Sequence, residues 1–338
     1  MTERYLITGA HGFIGRYFVL HLLEHYPKAV LLGVGRSPGQ NSTFRHLVSC
    51  GDKDVPAPLP EQLRNLDGTR YSYVSCELLS MRCTEILRDF RPTAVIHLAG
   101  SSRGISEVEV FSNNVHGTRA LLKAIRDSGV RIRLLLLVSS GGVYGNQEKL
   151  PIAETAAVEP LGLYSRSKFL SERLAHSFAC DSGIPVVTAR VFNAFGPGQD
   201  EYHFAGRMAG QLAAILAGKS APVIRVGSLT ATRDFLDVRD VCSALGTLLE
   251  GSFDGVYNVG SGVERNVGDL LQLFLQTAGL QNALQIQQET DRSPIHRHFA
   301  DVCRLAQTTF VPQHPLAQTC QEMLGYYAQF VYDQSHHE

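Results

Sequence analysis

The chain has 338 residues, with 31 Lys plus Arg against 32 Asp plus Glu and a formal net charge of −1, so no global basic field favours nucleic acid and an anionic ligand must be held by local groups. No apolar run approaches the ~20 residues that a membrane-spanning helix needs, and Met1-Thr2-Glu3-Arg4 leads straight into a strand pattern without a basic and apolar leader. These features predict a soluble, cytoplasmic protein, long enough for a main domain with a smaller lobe.

The first apolar strand runs from Tyr5 to Thr8 and is followed by Thr8-Gly9-Ala10-His11-Gly12-Phe13-Ile14-Gly15, which opens a helix continuing through Leu22. Glycines at 9, 12 and 15 permit a tight turn and close backbone approach. The helix start offers unpaired N–H groups and partial positive charge to a pyrophosphate. Alone, a glycine triplet could be an ordinary turn; with a strand before it and a helix after it, it predicts a dinucleotide site at Gly9, His11, Gly12, Phe13, Ile14 and Gly15.

The second strand, from Val30 to Val34, ends in Gly35-Arg36-Ser37, and no Asp or Glu occurs between Glu24 and Asp52. An acidic residue here would accept from a ribose 2′-hydroxyl, whereas an arginine accommodates a 2′-phosphate. Arg36 therefore favours NADP(H) over NAD(H); the competing reading leaves Arg36 solvated and gives the ribose to another polar group. From Ser37 to Tyr71, Pro38, Gly39, Gly51, Pro56, Pro58 and Pro60 break the rhythm. That stretch reads as a long surface excursion with a helix near Glu61 to Leu66.

Further apolar strands from Ala94 to Leu98, Leu134 to Ser139 and Val186 to Val191 alternate with helical patterns. Such strands predict an α/β fold, a doubly wound parallel Rossmann sheet covered on both faces. After Phe195-Gly196-Pro197-Gly198 the alternation ends, and a helix from about Ala205 to Ala217 begins a smaller mixed α/β lobe. The expected division is residues 1–192 for an NADP-binding domain carrying the catalytic residues, and 193–332 for a mainly substrate-binding C-terminal lobe interleaved with the end of the sheet.

Seven cysteines lack any Cys-x-x-Cys pair, so reduced thiols are expected rather than disulfides or zinc. His21 with His25, and His296 with His298, lack a third ligand, and no metal is expected. His336 and His337 read as a polar tail.

Tyr164 and Lys168 lie four residues apart in Leu163-Tyr164-Ser165-Arg166-Ser167-Lys168-Phe169. On a helix both side chains share one face. Free tyrosine titrates near ~10, so a proton-transfer role is expected to draw on the Lys168 ammonium to stabilise the phenolate. Joined to a dinucleotide turn, the pair points to hydride chemistry at a carbinol or carbonyl carbon.

Taken together, Gly9, Gly12 and Gly15; His97-Leu98-Ala99-Gly100; Asn114-x-x-Gly117-Thr118; Val138-Ser139-Ser140-Gly141-Gly142-Val143-Tyr144-Gly145; Tyr164 and Lys168; Arg190-Val191-Phe192-Asn193-x-x-Gly196-Pro197-Gly198; and Arg233-Asp234-Phe235-Leu236-Asp237-Val238 resemble the extended short-chain dehydrogenase/reductase family that acts on nucleotide-sugars. The resemblance covers nearly the whole chain. It implies Ser140 hydrogen-bonding the reacting sugar oxygen, Tyr164 as acid or base, and Lys168 binding the nicotinamide ribose while tuning Tyr164. It adds Leu98, Ala99, Gly100, Asn114, Ser139 and Val191 to the cofactor site, with Asn114 structural or water-positioning. Glu77 and Leu78 fall where the family usually has Asp and an apolar residue around the adenine. Ser102, Asn193, Arg233 and Arg292 join Ser140 as substrate-binding residues. A homodimer is implied by resemblance alone.

Sugar 4,6-dehydratases of this family carry an acidic residue after the Ser or Thr, where this chain has Gly141-Gly142, which can transfer no proton. The stretches from Val226 to Val241 and from Val256 to Gly262 look most like GDP-4-keto-6-deoxy-mannose reductases, and the Arg36 stretch with Asn41 is similar to NADP-binding GDP-mannose dehydratases. The expected activity is NADPH-dependent reduction of a nucleotide-linked 4-keto sugar, a GDP-hexose, with Tyr164 as proton donor. The rival readings are a 4-epimerase, a 4,6-dehydratase and a non-enzymatic ligand sensor on the same scaffold.

Overall fold

A computed structural model describes residues 3–39, 42–50, 53–101, 106–289 and 295–333. The elements begin with β1 (Arg4–Thr8), α1 (Phe13–His25), β2 (Val30–Gly35), β3 (Thr43–Cys50), β4 (Lys53–Pro58), β5 (Tyr71–Ser75), α2 (Arg82–Phe90) and β6 (Ala94–His97). Next come α3 (Glu107–Phe111), a π-helical turn (Ser112–His116), α4 (Gly117–Ser128), β7 (Leu134–Ser140), a 3₁₀ turn (Gly141–Tyr144), α5 (Leu163–Ser182) and β8 (Val186–Val191). The chain continues with β9 (Asn193–Phe195), α6 (Phe204–Leu216), β10 (Val223–Val226), β11 (Thr232–Arg233), β12 (Phe235–Asp237), α7 (Val238–Glu250) and β13 (Gly255–Val259). It closes with β14 (Arg265–Asn266), α8 (Val267–Ala278), β15 (Gln285–Gln288), β16 (Arg297–His298), α9 (Cys303–Ala306) and α10 (Leu316–Asp333).

Seven parallel strands form the central sheet in the order β13-β8-β7-β6-β1-β2-β5. Its inner strands are apolar on both faces because helices cover both: Tyr5 and Ile7 join one buried cluster, Leu6 the other. The sheet is the doubly wound, Rossmann type that the alternation predicts. The strand order reverses at β1, which pairs with β2 on one side and β6 on the other. This switch point opens a crevice at the carboxyl ends of the strands, where ligands bind in such sheets. The edge strand β13 comes from the sequence after the C-terminal helices begin, and it pairs with β8 in register.

One expectation needs correction. The excursion after β2 is an antiparallel hairpin, β3 with β4, which buries Phe44, Val48 and Ala57 rather than lying wholly on the surface. Pro56 and Pro58 lie inside β4, which proline tolerates because β4 pairs on one side only. The helix expected near Glu61 to Leu66 is a single 3₁₀ turn, Glu61–Leu63, ended by extended Arg64 and by Asn65 at φ 58°. Asn41 lies outside the described residues, as do His336 and His337. Among the described residues, no helix is long and apolar enough to cross a membrane.

Candidate active site

The cleft at the switch point has a volume of about 390 Å³ and is lined by Gly9, His11, Gly12, Phe13, Arg36, Glu77, Leu78, Leu98, Ala99 and Gly100 among others. Gly9 holds φ 74°, and a Cβ there would sit 2.6 Å from Ala99 N, so the first glycine both takes a left-handed turn and lets two strand ends meet. A Cβ on Gly15 would lie 2.2 Å from Gly9 O, which binds the helix start to the turn. No side chain caps the start of α1 at Gly12. These uncapped amides, beside glycines that keep the approach bare, fit a pyrophosphate. The His11 ring stacks on Tyr73 at 3.6 Å and 8°, and burial lowers its pKa to about 3, so it is neutral; its Nδ1 is buried without a partner. Of the expected site residues, Ile14, Gly15, Asn114, Ser139, Ser140, Tyr164, Lys168 and Val191 do not line this cleft.

The end of the cleft beside Arg36 contains groups that sequence reasoning missed. Arg36 is exposed at the end of β2 and donates to Asn113 Oδ1 at 2.9 Å. The hairpin brings Arg45 and His46 to the same cleft, beside Ser37 and Tyr73. The signal was present in Phe44-Arg45-His46, but only a tertiary fold-back places it there. Two guanidinium groups and an imidazole gathered where no acid ends β2 suit a phosphate ester.

From the cleft a buried hydrogen-bonded chain leads to the proposed catalytic residues. Thr8 Oγ1 contacts His97 Nδ1 at 2.7 Å, and His97 Nε2 contacts Thr118 Oγ1 at 2.9 Å. Since the Thr118 hydroxyl donates to Asn114 O at 2.6 Å, His97 Nε2–H must be the donor to Thr118. Burial and the nearby Lys168 charge hold His97 neutral, with a pKa of about 3. Asn114 sits in the π-helical turn, whose wider winding is a frequent mark of functional positions. Its Oδ1 accepts from Ser101 N at 2.7 Å, and its Nδ2 donates to Ser101 O and to Ser167 Oγ. Asn114 thus ties the strand end to α5.

Ser140 ends β7, and its Oγ accepts from Gly142 N at 3.1 Å, capping the 3₁₀ turn. A Cβ on Gly142 would meet Ser165 Oγ at 2.9 Å and Ser140 Oγ at 3.3 Å, so the first turn of α5, which carries Tyr164, lies against the Ser140 turn. One turn further on, Lys168 Nζ donates to Val138 O at 2.6 Å. A Cβ on Gly100 would stand 3.8 Å from Lys168 Nζ and 3.0 Å from Asn114 Oδ1, which joins the cleft wall to the catalytic helix. Burial pushes the Tyr164 phenol up to about 12 and Lys168 down to about 8. The Tyr164 phenol is therefore protonated near neutrality, the form that a proton donor needs.

A second pocket of about 200 Å³ lies between β9, α6 and β11. Asn193 and Arg233 line it, together with Gln199, His203, Arg207 and Ser228, which the sequence reading did not single out. Asn193 Nδ2 donates to Asp234 O at 3.0 Å, and Arg233 donates to the carbonyls of Thr232 and Ile295. Arg207 Nε is buried without a partner. Ser102 and Arg292 lie outside the described residues. Among the described residues, no three His, Cys, Asp or Glu side chains gather as a metal site.

Comparison with known proteins agrees with this geometry. GDP-6-deoxy-D-mannose reductase of Pseudomonas aeruginosa is 32% identical over 301 residues, covering 86% of this chain and 85% of its own length. A dTDP-glucose 4,6-dehydratase of Xanthomonas campestris pv. campestris (strain B100) is 30% identical over 319 residues, covering 88% and 84%. The structure of RMD from Pseudomonas aeruginosa complexed with NADPH superposes with a TM-score of 0.77 at 29% identity, over 97% of this chain and 99% of that one. The profile of the NAD dependent epimerase/dehydratase family matches residues 5–260, and the chain belongs to that family.

Proposed function

We propose that the protein is an NADPH-dependent reductase of a nucleotide-linked 4-keto sugar, with a GDP-hexose as substrate. The observation that carries this reading is the sealed turn after Ser140. A Cβ on Gly141 would meet the Phe192 ring at 2.9 Å, and one on Gly142 would meet Ser165 Oγ at 2.9 Å. A dehydratase needs an acid and a base at this turn; here the positions are bare, and their space is filled by an aromatic ring and a hydroxyl.

A dinucleotide bound in the switch-point cleft would supply the hydride. Ser140 Oγ hydrogen-bonds the sugar carbonyl oxygen, so that charge developing on that oxygen meets a placed donor. Tyr164, kept neutral by burial, gives its proton to that oxygen. The Lys168 ammonium, anchored on Val138 O, offsets the phenolate left behind. Arg36, with Arg45 and His46, holds the 2′-phosphate that separates NADP(H) from NAD(H), and Glu77 and Leu78 border the adenine. Asn193, Arg207, Arg233 and the expected Arg292 hold the diphosphate, for which the arginine fork is suited. In this reading residues 1–192 bind cofactor and carry the chemistry, residues 193–332 mainly bind substrate, and the protein acts as a cytoplasmic homodimer.

The rival epimerase reading uses the same three residues but returns the hydride and retains its cofactor. Mass spectrometry of small molecules that copurify with the protein separates the two. A reductase that exchanges its cofactor should yield little dinucleotide, whereas a full equivalent of tightly held NAD per chain would count against it.

A further inference from the structure

Behind Lys168 lies a buried ion pair that the proposed chemistry does not use. Glu172, one turn further along α5, and Arg190, on β8, are both nearly sealed from solvent, at 6% and 5% exposure. Glu172 Oε2 accepts from Arg190 Nη2 at 2.7 Å, and Oε1 accepts from Arg190 Nε at 3.1 Å and from the Ser139 hydroxyl. Ser139 and Arg190 are directly paired across β7 and β8. One carboxylate on the helix is thus held by two neighbouring strands, one of which carries Ser140 as its next residue. The Arg190 guanidinium lies 4.6 Å above the Tyr144 ring, and Tyr144 in turn donates to Asn258 Oδ1 at 2.7 Å.

We infer that Glu172 and Arg190 are positioning residues of this site: they dock α5 on the sheet so that Tyr164 and Lys168 face the Ser140 strand end, and they fix one shared carboxylate a helical turn from Lys168. In a buried pair of this kind desolvation offsets much of the Coulomb gain, so net stability alone does not account for it. The groups around Lys168 fit this role. Its own helix supplies Tyr164 and Glu172, β6 supplies the neutral His97, the π-helical turn supplies the uncharged Asn114, and β8 with the turn after β7 supplies Arg190 over Tyr144. Glu172 and Arg190 are the ion pair among them. Glu172 favours the lysine ammonium, partly offsetting the burial that drives the proton off. Arg190 moderates that help by sharing the same carboxylate.

The test reads Lys168 directly. The chain has six lysines, at 28, 53, 123, 149, 168 and 219, so ¹³Cε labelling gives few NMR signals, and Lys168→Arg assigns the one of interest. In the protein without substrate, Glu172→Gln should lower the Lys168 midpoint by about one pH unit. Arg190→Gln should raise it, because the carboxylate then faces the lysine alone. The paired variant Glu172→Leu/Arg190→Met leaves no uncompensated charge and guards against loss of folding; its Lys168 midpoint should also fall below wild type. A midpoint unchanged in Glu172→Gln and in the paired variant, or shifted in one direction by both single variants, would overturn the inference. Its kinetic readout rests on the proposed reduction, where the alkaline limb of kcat/KM should move with the NMR midpoint. If the midpoints shift as stated while no 4-keto sugar is reduced, the positioning role stands and the reductase reading fails.

Discussion

Phe44 on the hairpin packs onto Gly198 in the turn after β9, so closely that a Cβ on Gly198 would lie 2.4 Å from its ring. Gly198 also holds φ 86°, a conformation glycine adopts freely and other residues do not. Tyr326 Oη donates to Pro58 O at 2.7 Å and Ser49 N to Glu201 Oε1 at 3.1 Å, so the hairpin is clamped to the turn before α6 and to α10 while Arg45 and His46 line the switch-point cleft. Gly198→Ala should therefore destabilise the protein by about 1 to 3 kcal/mol through backbone strain and displacement of Phe44. Thermal denaturation measures the loss, and NADPH titration should show weaker binding in the folded fraction. Unchanged Tm and affinity would mean that the hairpin is not held by this contact.

Cofactor choice is tested at the same end. Arg36→Ala and Arg45→Ala should each weaken NADPH binding by roughly 1.5 to 3 kcal/mol, the range of a charge-assisted hydrogen bond, while leaving NADH binding nearly unchanged. Fluorescence titration with both cofactors measures the ratio. A wild-type protein that prefers NADH would contradict the reading of the β2 end.

The catalytic helix makes a pH prediction with a definite sign. Burial lowers Lys168 to about 8, and in the proposed mechanism its ammonium is the working form, present below that pH and lost as pH rises through it. Activity should accordingly fall above about pH 8. Tyr164, at about 12, stays neutral across the assay range and adds no limb of its own. Tyr164→Phe should remove at least ~100-fold of kcat, the lower end of what a positioned proton donor contributes, with NADPH affinity preserved. Lys168→Ala should lower both turnover and cofactor affinity. A Tyr164→Phe enzyme within twofold of wild type would remove the tyrosine from the mechanism.

In the second pocket, Arg207→Ala and Arg233→Ala should raise KM for the nucleotide-sugar with little effect on NADPH affinity, each by roughly 1.5 to 3 kcal/mol. Steady-state kinetics with the two substrates varied in turn gives the split. An effect confined to kcat would place these arginines outside the substrate site.

The parts of this molecule legible in the sequence are those whose chemistry is local. Gly9, Gly12 and Gly15 announce their turn because the strand, turn and helix are contiguous, and Tyr164 and Lys168 declare a shared face through their spacing alone. The hairpin was hidden because Pro56 and Pro58 read as breakers, when in a strand paired on one side they are tolerated where the register shifts between Thr43 and Leu47. Arg45, His46 and Tyr73 reach the cofactor cleft only through tertiary folding, and Arg207 joins Arg233 across the pocket beside α6 in the same way. Spacing places Lys168 one turn from Tyr164, but the desolvation that raises the phenol to about 12 comes only from tertiary packing. Ser102 and Arg292 fall outside the described residues, and their assignment rests on resemblance alone.

The most direct test of the central claim is turnover with the proposed substrate. The protein is incubated with NADPH and GDP-4-keto-6-deoxy-mannose, the loss of reduced-nicotinamide absorbance is followed, and the sugar product is identified by NMR. The account predicts one NADPH consumed for each sugar reduced to the 4-hydroxyl. Inversion of a nucleotide-hexose at C4 with no NADPH consumed by any 4-keto sugar, or conversion of a nucleotide-hexose into its 4-keto-6-deoxy form, would contradict it.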